Sequence, residues 1–211
     1  MKVLVIGSTG RVGKLLVEYS LELGHEVTAF ARNIQALNID HPSLHKVHGD
    51  VLYPALVESA VEGHDAVLSV IGIRQFSGPI TLLSTGMDNI VQAMKTKGVN
   101  RLLTITGAGI LQEDEQYLIM ESLSFPPNLQ NISLDHKRVY ESLKDSGLDW
   151  TIVSPSFMHN GERTGEYLTK ADYYPKKSQN QISVQDVADF ITREMSENKF
   201  CARRVGIAHP V

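Results

Sequence analysis

Apolar positions along this chain change period again and again. Residues 2–6 form a short run, Lys2-Val3-Leu4-Val5-Ile6, rich in the branched side chains of a strand buried on both faces. Val12, Leu15, Leu16, Tyr19 and Leu23 then recur at helical spacing, and Gly24 closes that pattern. The alternation repeats. Residues 27–31 predict a second strand ending at Arg32, 44–48 a third ending at Gly49-Asp50-Val51, 66–71 a fourth ending at Gly72, and 101–106 a fifth. Between them fall a helix over about 54–62, with Pro54 suited to its first turn, and a longer one. The longer helix carries Leu83, Met87, Ile90, Val91 and Met94 along one side and has Gly98 after it.

Beyond residue 106 the rhythm weakens. Residues 107–132 show no strand period; they hold Glu113-Asp114-Glu115, which reads as a solvated loop, and Phe125-Pro126-Pro127. A helix resumes near Ser133 and ends at Gly147, a strand follows at 150–153, and Pro155 lies just past it. Residues 156–181 are again irregular. Ser183-Val184-Gln185-Asp186 reads as a capped helix start, with Val184, Val187, Ala188, Ile191 and Met195 as its buried stripe, and 203–207 predict a last strand. Strands alternating with helices predict an α/β fold with a doubly wound parallel sheet. With no repeat or linker, residues 1–211 are expected to form a single domain with a small C-terminal substrate lobe. The two irregular regions are long for structureless loops, which suits a lid or binding surface.

Composition narrows the classes without naming one. A hydrophobic fraction of 42% with 21% charged residues is that of an ordinary globular protein. The net charge of −4 gives no basic face for nucleic acid or a membrane surface. No apolar run reaches the ~20 residues of a membrane span. The N-terminus enters a strand without a leader pattern, and the single cysteine, Cys201, allows no internal disulfide. A soluble cytoplasmic protein is expected.

The chemistry concentrates between the first strand and the first helix, in Gly7-Ser8-Thr9-Gly10-Arg11-Val12-Gly13. Strand, glycine turn and helix in that order are the context of a dinucleotide-binding fingerprint. Gly7 turns the chain, Gly10 lets the backbone approach a pyrophosphate, and Gly13 lets the helix pack closely. The helix start offers free N–H groups to the phosphates. Glycine turns also join strands to helices where nothing binds, so the surroundings must decide. In a Rossmann-type sheet, ligands lie beyond the carboxyl ends of the strands. Gly7, Arg32, Asp50, Gly72, Thr106 and Pro155 all fall there, which predicts one contiguous site. Arg32 closes the second strand, where an acid would bind the ribose hydroxyls of NAD; a guanidinium instead favours the 2′-phosphate of NADP. The plain alternative is an exposed arginine. Arg11 adds a second charge near the phosphates or is simply solvated. Asp50 and Val51 suit the adenine, or Asp50 closes an Asx turn.

The glycine motif, Arg32, Gly49-Asp50-Val51, Asp65-Ala66-Val67, residues 88–95, Gly98-Val99, Ser146-Gly147-Leu148 and Asp186-Val187-Ala188-Asp189-Phe190 together resemble atypical short-chain dehydrogenases/reductases. Among these, the chain is similar to the NAD(P)H-binding flavin reductase/biliverdin-IXβ reductase group, with the NmrA-like nitrogen-regulation sensors further off. The similarity runs through nearly the whole chain and is weakest over residues 109–130 and 160–180. It implies a Rossmann fold, NADP(H), and reduction of flavin or a linear tetrapyrrole. It also implies cofactor contacts from Gly7, Thr9, Arg11, Val12, Arg32, Asp50, Val51, Gly72, Ile73, Thr106, His136, Pro155 and Phe157, with Ser8, Gly10, Gly13 and Gly107 beside them.

Catalytic groups are harder to find. Ordinary short-chain dehydrogenases use a Ser, a Tyr and a Lys four residues on, the lysine lowering the phenol pKa. Tyr140-Glu141-Ser142-Leu143-Lys144 matches literally but sits too near the helix end. Counting back from Gly147 places Lys137 at the family lysine and Ser133 at the tyrosine. The serine position holds Gly107, where biliverdin-IXβ reductases have Ser after Thr. Asp135-His136-Lys137-Arg138 resembles the family's Asp-His-x-Arg. It leaves His136 as cofactor ligand, proton donor or solvated side chain, and Lys137 as a ribose contact or a solvent-facing one. Tyr173 and Tyr174 either line a substrate pocket or pack at the surface. No metal site is expected: His45 and His48 point to opposite faces of a strand, and no histidine pair has helix ligand spacing. Two functions follow. One is an NADPH-dependent reductase passing hydride to a small planar acceptor such as flavin; the alternative is a non-catalytic NADP-binding redox sensor. A nucleotide-sugar epimerase or dehydratase is disfavoured by the missing tyrosine.

Overall fold

The apolar runs at residues 3–6, 66–69 and 101–105 become strands because both of their faces find cover, whereas residues 44–48 form a largely exposed strand at the sheet edge. In a computed structural model, which describes residues 1–73 and 78–211, β1 (Lys2–Ile6) is followed by α1 (Arg11–Glu22), β2 (Glu26–Ala31), β3 (Leu44–His48), α2 (Pro54–Val61), β4 (Ala66–Ser69), α3 (Leu82–Lys97) and β5 (Arg101–Ile105). Then come α4 (Gln130–Lys144), β6 (Asp149–Pro155), β7 (Phe157–His159), β8 (Leu168–Ala171), β9 (Gln181–Ser183), α5 (Val184–Glu197) and β10 (Arg203–Ala208). The main sheet runs β3-β2-β1-β4-β5-β6-β10-β8. Its strands are parallel except β8, which pairs antiparallel with β10. This is a Rossmann-type α/β fold, and the chain reverses direction across the sheet between β1 and β4.

Strand alternation sorts the core into two layers. Val3 and Val5 of β1 pack with Leu16 of α1 and Val187 and Ile191 of α5. Leu4 and Ile6 pack with Val57 of α2, Met87 and Ile90 of α3 and Leu143 of α4. Helix ends follow local chemistry. Gly98, with φ of +69°, turns the chain off α3 in the left-handed region that side chains avoid. The Ser183 hydroxyl accepts the Asp186 N–H at 3.0 Å at the start of α5.

The second half departs from the sequence pattern in three places. A single-turn helix at Pro127–Leu129 feeds α4, so α4 begins at Gln130 instead of near Ser133. Residues 107–132 otherwise carry two more such turns, at Ala108–Ile110 and Ile119–Glu121. The stretch read as irregular, 156–181, contains β7, β8 and the start of β9. β8 extends the main sheet at its edge, and β7 pairs with β9 in a separate two-stranded sheet. These strands are three or four residues long and partly exposed, so they lack the apolar signature of buried strands.

Buried acids tie this half together. Asp186 accepts from the N–H groups of Thr164 (2.8 Å) and Gly165 (2.9 Å), from the Thr164 hydroxyl (2.8 Å), and pairs with His209 (2.7 Å). Burial alone would raise its pKa, but these bonds outweigh it and hold the carboxyl below its usual range. Asp189, fully buried, joins Arg163 (2.8 Å), Arg193 (2.9 Å) and the Tyr167 hydroxyl (2.9 Å). Together they pin residues 163–167 against α5.

Candidate functional site

A cavity of about 1130 Å³ opens at the carboxyl ends of the strands, beside the reversal between β1 and β4. Gly7, Arg32, Asp50, Gly72, Thr106 and Pro155 all line it, from five different strand ends and the glycine turn. It has two unlike ends.

The first end is built by the glycine turn. Gly7 adopts φ of +86°, and a Cβ there would meet the Val70 carbonyl oxygen at 2.7 Å. Its N–H donates to the Phe30 carbonyl at 3.0 Å. A Cβ on Gly13 would drive into the Gly7 carbonyl, so the close seating of α1 depends on glycine there. α1 has no capping side chain and no acid in its first turn. Its first N–H groups thus remain free for an anion, and Thr9, Gly10, Arg11 and Val12 line the cavity around them. Ser8 and Gly13 do not face the cavity. Ser8 is fully buried and its hydroxyl bonds back to Phe30 (3.2 Å), while Gly13 lies beneath the helix against the turn. Their part is structural.

Arg32 stands exposed at the end of β2 on the cavity wall, beside Asn33, and makes no ion pair among the described residues. Asp50 does two things. Oδ1 accepts the Leu52 N–H at 3.0 Å, closing an Asx turn, and the residue still lines the cavity. Two residues overlooked in the sequence hold this turn in place. A Cβ on Gly86 of α3 would meet Val51 Cγ1 at 2.9 Å, and Asn89 donates to the Val51 carbonyl at 2.9 Å. A glycine in the middle of a well-formed helix pattern was the available signal.

At the other end, Gly72, Ile73, Thr106, Gly107, His136 and Pro155 meet Leu82, Leu83, Ile132, Ser156 and Met158. Among the described residues this end is lined by uncharged side chains, with the Arg11 guanidinium reaching the Met158 carbonyl (3.5 Å) and Asn160 Oδ1 (3.4 Å) at its border. Thr106 is held by its hydroxyl contact with Ser154 (2.9 Å). His136 Nδ1 accepts the Gly107 N–H at 3.1 Å, which leaves the proton on Nε2. Desolvation by the surrounding protein lowers the imidazole pKa to about 4, only partly opposed by the charge of Asp135. At neutral pH His136 is therefore a neutral hydrogen-bond donor, not a proton source.

Two of the expected residues lie elsewhere. Lys137, one step round α4 from His136, turns away to pair with Glu121 at 3.5 Å. Phe157 is 64% exposed, because strand alternation in β7 sends Met158 to the cavity and Phe157 to the outside. The literal Tyr-x-x-x-Lys match is structural as well. The Tyr140 ring stacks edge-on against Trp150 with centroids 5.9 Å apart, under the Arg204 guanidinium at 4.4 Å, and Lys144 pairs with Asp145 at the surface. Ser133 is buried, its hydroxyl packed under Gly109. Among the described residues no group of three or more His, Cys, Asp or Glu side chains is arranged to hold a metal. Nor is any helix there long and apolar enough to cross a membrane.

An uncapped helix start behind a glycine turn, facing a long cavity with arginines at one end, is the geometry of a nicotinamide dinucleotide site. The profile of the NAD(P)H-binding family matches residues 7–198, and the chain belongs to that family. The uncharacterized Bacillus subtilis protein YwnB is 28% identical over 202 residues, covering 92% of both chains. Other curated relatives are longer, and the chain spans 64% of one from Arabidopsis thaliana. Among solved structures, a candidate epimerase from Bacteroides thetaiotaomicron superposes with a TM-score of 0.87 at 29% identity, over 100% of this chain and 97% of that one. A candidate NADH-flavin reductase from Streptococcus pneumoniae gives 0.86 at 26% identity, over 99% of each chain.

Proposed function

We propose that this protein is an NADPH-dependent reductase that passes hydride to a small planar acceptor such as flavin. The observation that carries the reading is the cavity itself, with an anion cradle at one end and, among the described residues, a slot of apolar and neutral polar side chains at the other. In this reading the first turn of α1 and Arg11 bind the pyrophosphate, Arg32 takes the 2′-phosphate, and Asp50 and Val51 flank the adenine. Gly72, Ile73, Thr106, Gly107 and Pro155 surround the nicotinamide, which supplies the hydride when bound. His136 donates from Nε2 to the carboxamide or to the acceptor and so orients one against the other. The apolar walls exclude water from the transfer. An acceptor such as flavin takes its proton from solvent, so the slot needs no acid. Family membership supports the nicotinamide cofactor, and the Streptococcus structure supports the acceptor class. The choice of NADPH over NADH rests on Arg32. With one cysteine and no membrane-crossing helix among the described residues, the cytoplasm is the compartment we assign.

The epimerase named for the Bacteroides structure implies acid–base chemistry at a sugar carbon, and here Tyr140 is packed against Trp150, away from the cavity. A sensor that binds NADP without turnover is the second reading, favoured by the lack, among the described residues, of a slot group that changes charge near neutral pH. The deciding experiment follows NADPH consumption with FMN, FAD, quinones and biliverdin as acceptors. Reduction of at least one upholds the reductase; tight NADPH binding with no acceptor reduced moves the assignment to the sensor.

A further inference from the structure

Helix α3 starts without a cap of its own. Thr81, at the capping position, bonds none of the first-turn N–H groups with its side chain. Those groups need an acceptor, and it comes from another helix. Asp135 of α4 is fully buried. Its Oδ2 accepts the Leu83 N–H at 2.9 Å, and its Oδ1 accepts the Ser84 hydroxyl at 2.5 Å. Arg138, one turn further along α4, lies 3.5 Å from Asp135 and donates to the Ile80 carbonyl at 3.2 Å. One turn of α4 thus grips the approach to α3 and its first turn.

The same turn of α4 carries His136, tied to Gly107 on the other side. Leu82 and Leu83 of α3 and His136 of α4 are walls of the same slot. An aspartate at position 81, where the Thr81 hydroxyl caps nothing, would offer α3 a stronger acceptor from within. A local cap would also avoid burying a carboxylate, which is costly unless the charge is bonded and paired. What only the cross-helix arrangement provides is a fixed distance between α3 and α4.

We propose that Asp135 is a positioning residue for the acceptor: by capping α3 from α4 it sets the width of the slot between the Leu82–Leu83 wall and His136. The proposal rests on the reductase reading for what enters the slot, not for the tie itself.

The test uses the full chain with Asp135→Ala and Asp135→Asn, each alone and combined with Thr81→Asp, which gives α3 a local cap. Asp135→Ala is expected to lower Tm by about 3 °C, and Thr81→Asp to restore it. The acceptor KM should rise about tenfold and stay raised after the cap is restored. The NADPH dissociation constant should remain within about twofold of the parent, since the phosphate end is untouched. A second readout needs no turnover. Emission from bound NADPH, whose nicotinamide lies in the slot, should shift in Asp135→Ala/Thr81→Asp at unchanged affinity. Recovery of KM together with Tm would reduce Asp135 to a cap, as would unaltered emission in the doubly substituted protein. Should the parent reduce no acceptor, the reductase reading fails, and the emission of bound NADPH still decides the positioning role.

Discussion

The two ends of the cavity are built by opposite means. The end proposed for the phosphates comes from a short stretch: Gly7, Gly10 and Gly13 shape one turn, and the free N–H groups of the helix start face the cavity with Arg11 and Arg32 on its wall. The slot comes from residues far apart in the chain, brought together by the ends of β4, β5 and β6 and by the first turns of α3 and α4. One end is polar, charged and rigid by backbone geometry. The other, among the described residues, is lined by neutral side chains and held by ties such as His136 to Gly107 and Asp135 to Leu83. In the proposed function the first end supplies binding strength and the second sets the chemistry that follows.

This division makes the ends separable by substitution. Gly13→Ala forces a Cβ into the Gly7 carbonyl and should unseat the phosphate end. Overpacking against backbone corresponds to ~3 kcal/mol, or a loss of roughly 100-fold in NADPH affinity by titration. Arg32→Asp should weaken NADPH by about 30-fold while leaving NADH unchanged or improved, as a charge-assisted phosphate bond is replaced by repulsion. Equal affinities for the two cofactors in the parent would remove the basis for choosing NADPH.

The slot should respond in rate more than in affinity. His136→Phe puts a slightly larger ring in place and removes both the Nε2 donor and the Nδ1 acceptor of the Gly107 N–H, and turnover should fall about tenfold with NADPH binding little changed. Turnover in the parent should be flat from pH 6 to about 9, because an imidazole with a pKa near 4 stays neutral throughout. Stability carries the matching signature. Between about 4 and the ordinary value of 6.5 the unfolded chain binds the proton that the folded chain refuses. The contribution of His136 is thus complete above pH 6.5 and is lost as pH falls toward 4, and a pH series of thermal melts should lose that slope in His136→Phe. Tyr140→Phe should have the smallest effect, within about twofold on turnover, since the phenol ring only packs on Trp150 and under Arg204. A large loss of activity there would return the literal Tyr-x-x-x-Lys motif to the active site.

The glycine turn, the first five strands and the capped start of α5 were legible in the amino-acid order because their causes are local. A strand buried on both faces must be apolar throughout, a turn at φ of +86° requires glycine, and a serine three residues before an acid caps a helix. The order of strand ends also fixes which residues reach the cavity mouth, so Arg32, Asp50, Gly72, Thr106 and Pro155 could be grouped before any coordinates. β3 is exposed as well and is legible only through Leu44, Val47 and the Gly49-Asp50 that follows it; shorter exposed strands leave no such trace. β7, β8 and β9 exist through pairing with distant partners and through the buried acids Asp186 and Asp189, neither of which shows in a local pattern.

Side-chain direction was the other thing only packing could settle. The core residues Ile132, Val139 and Leu143 fix the rotation of α4, and that rotation sends His136 to the slot, Asp135 to α3 and Lys137 to Glu121. One residue of register in β7 likewise decides between Phe157 and Met158. Residue order alone thus places a glycine turn between strand and helix and shows where the strand ends meet, because backbone constraints act over a few residues. Which side chains face the acceptor depends on contacts between elements tens of residues apart, and those exist only once the sheet and its helices have packed.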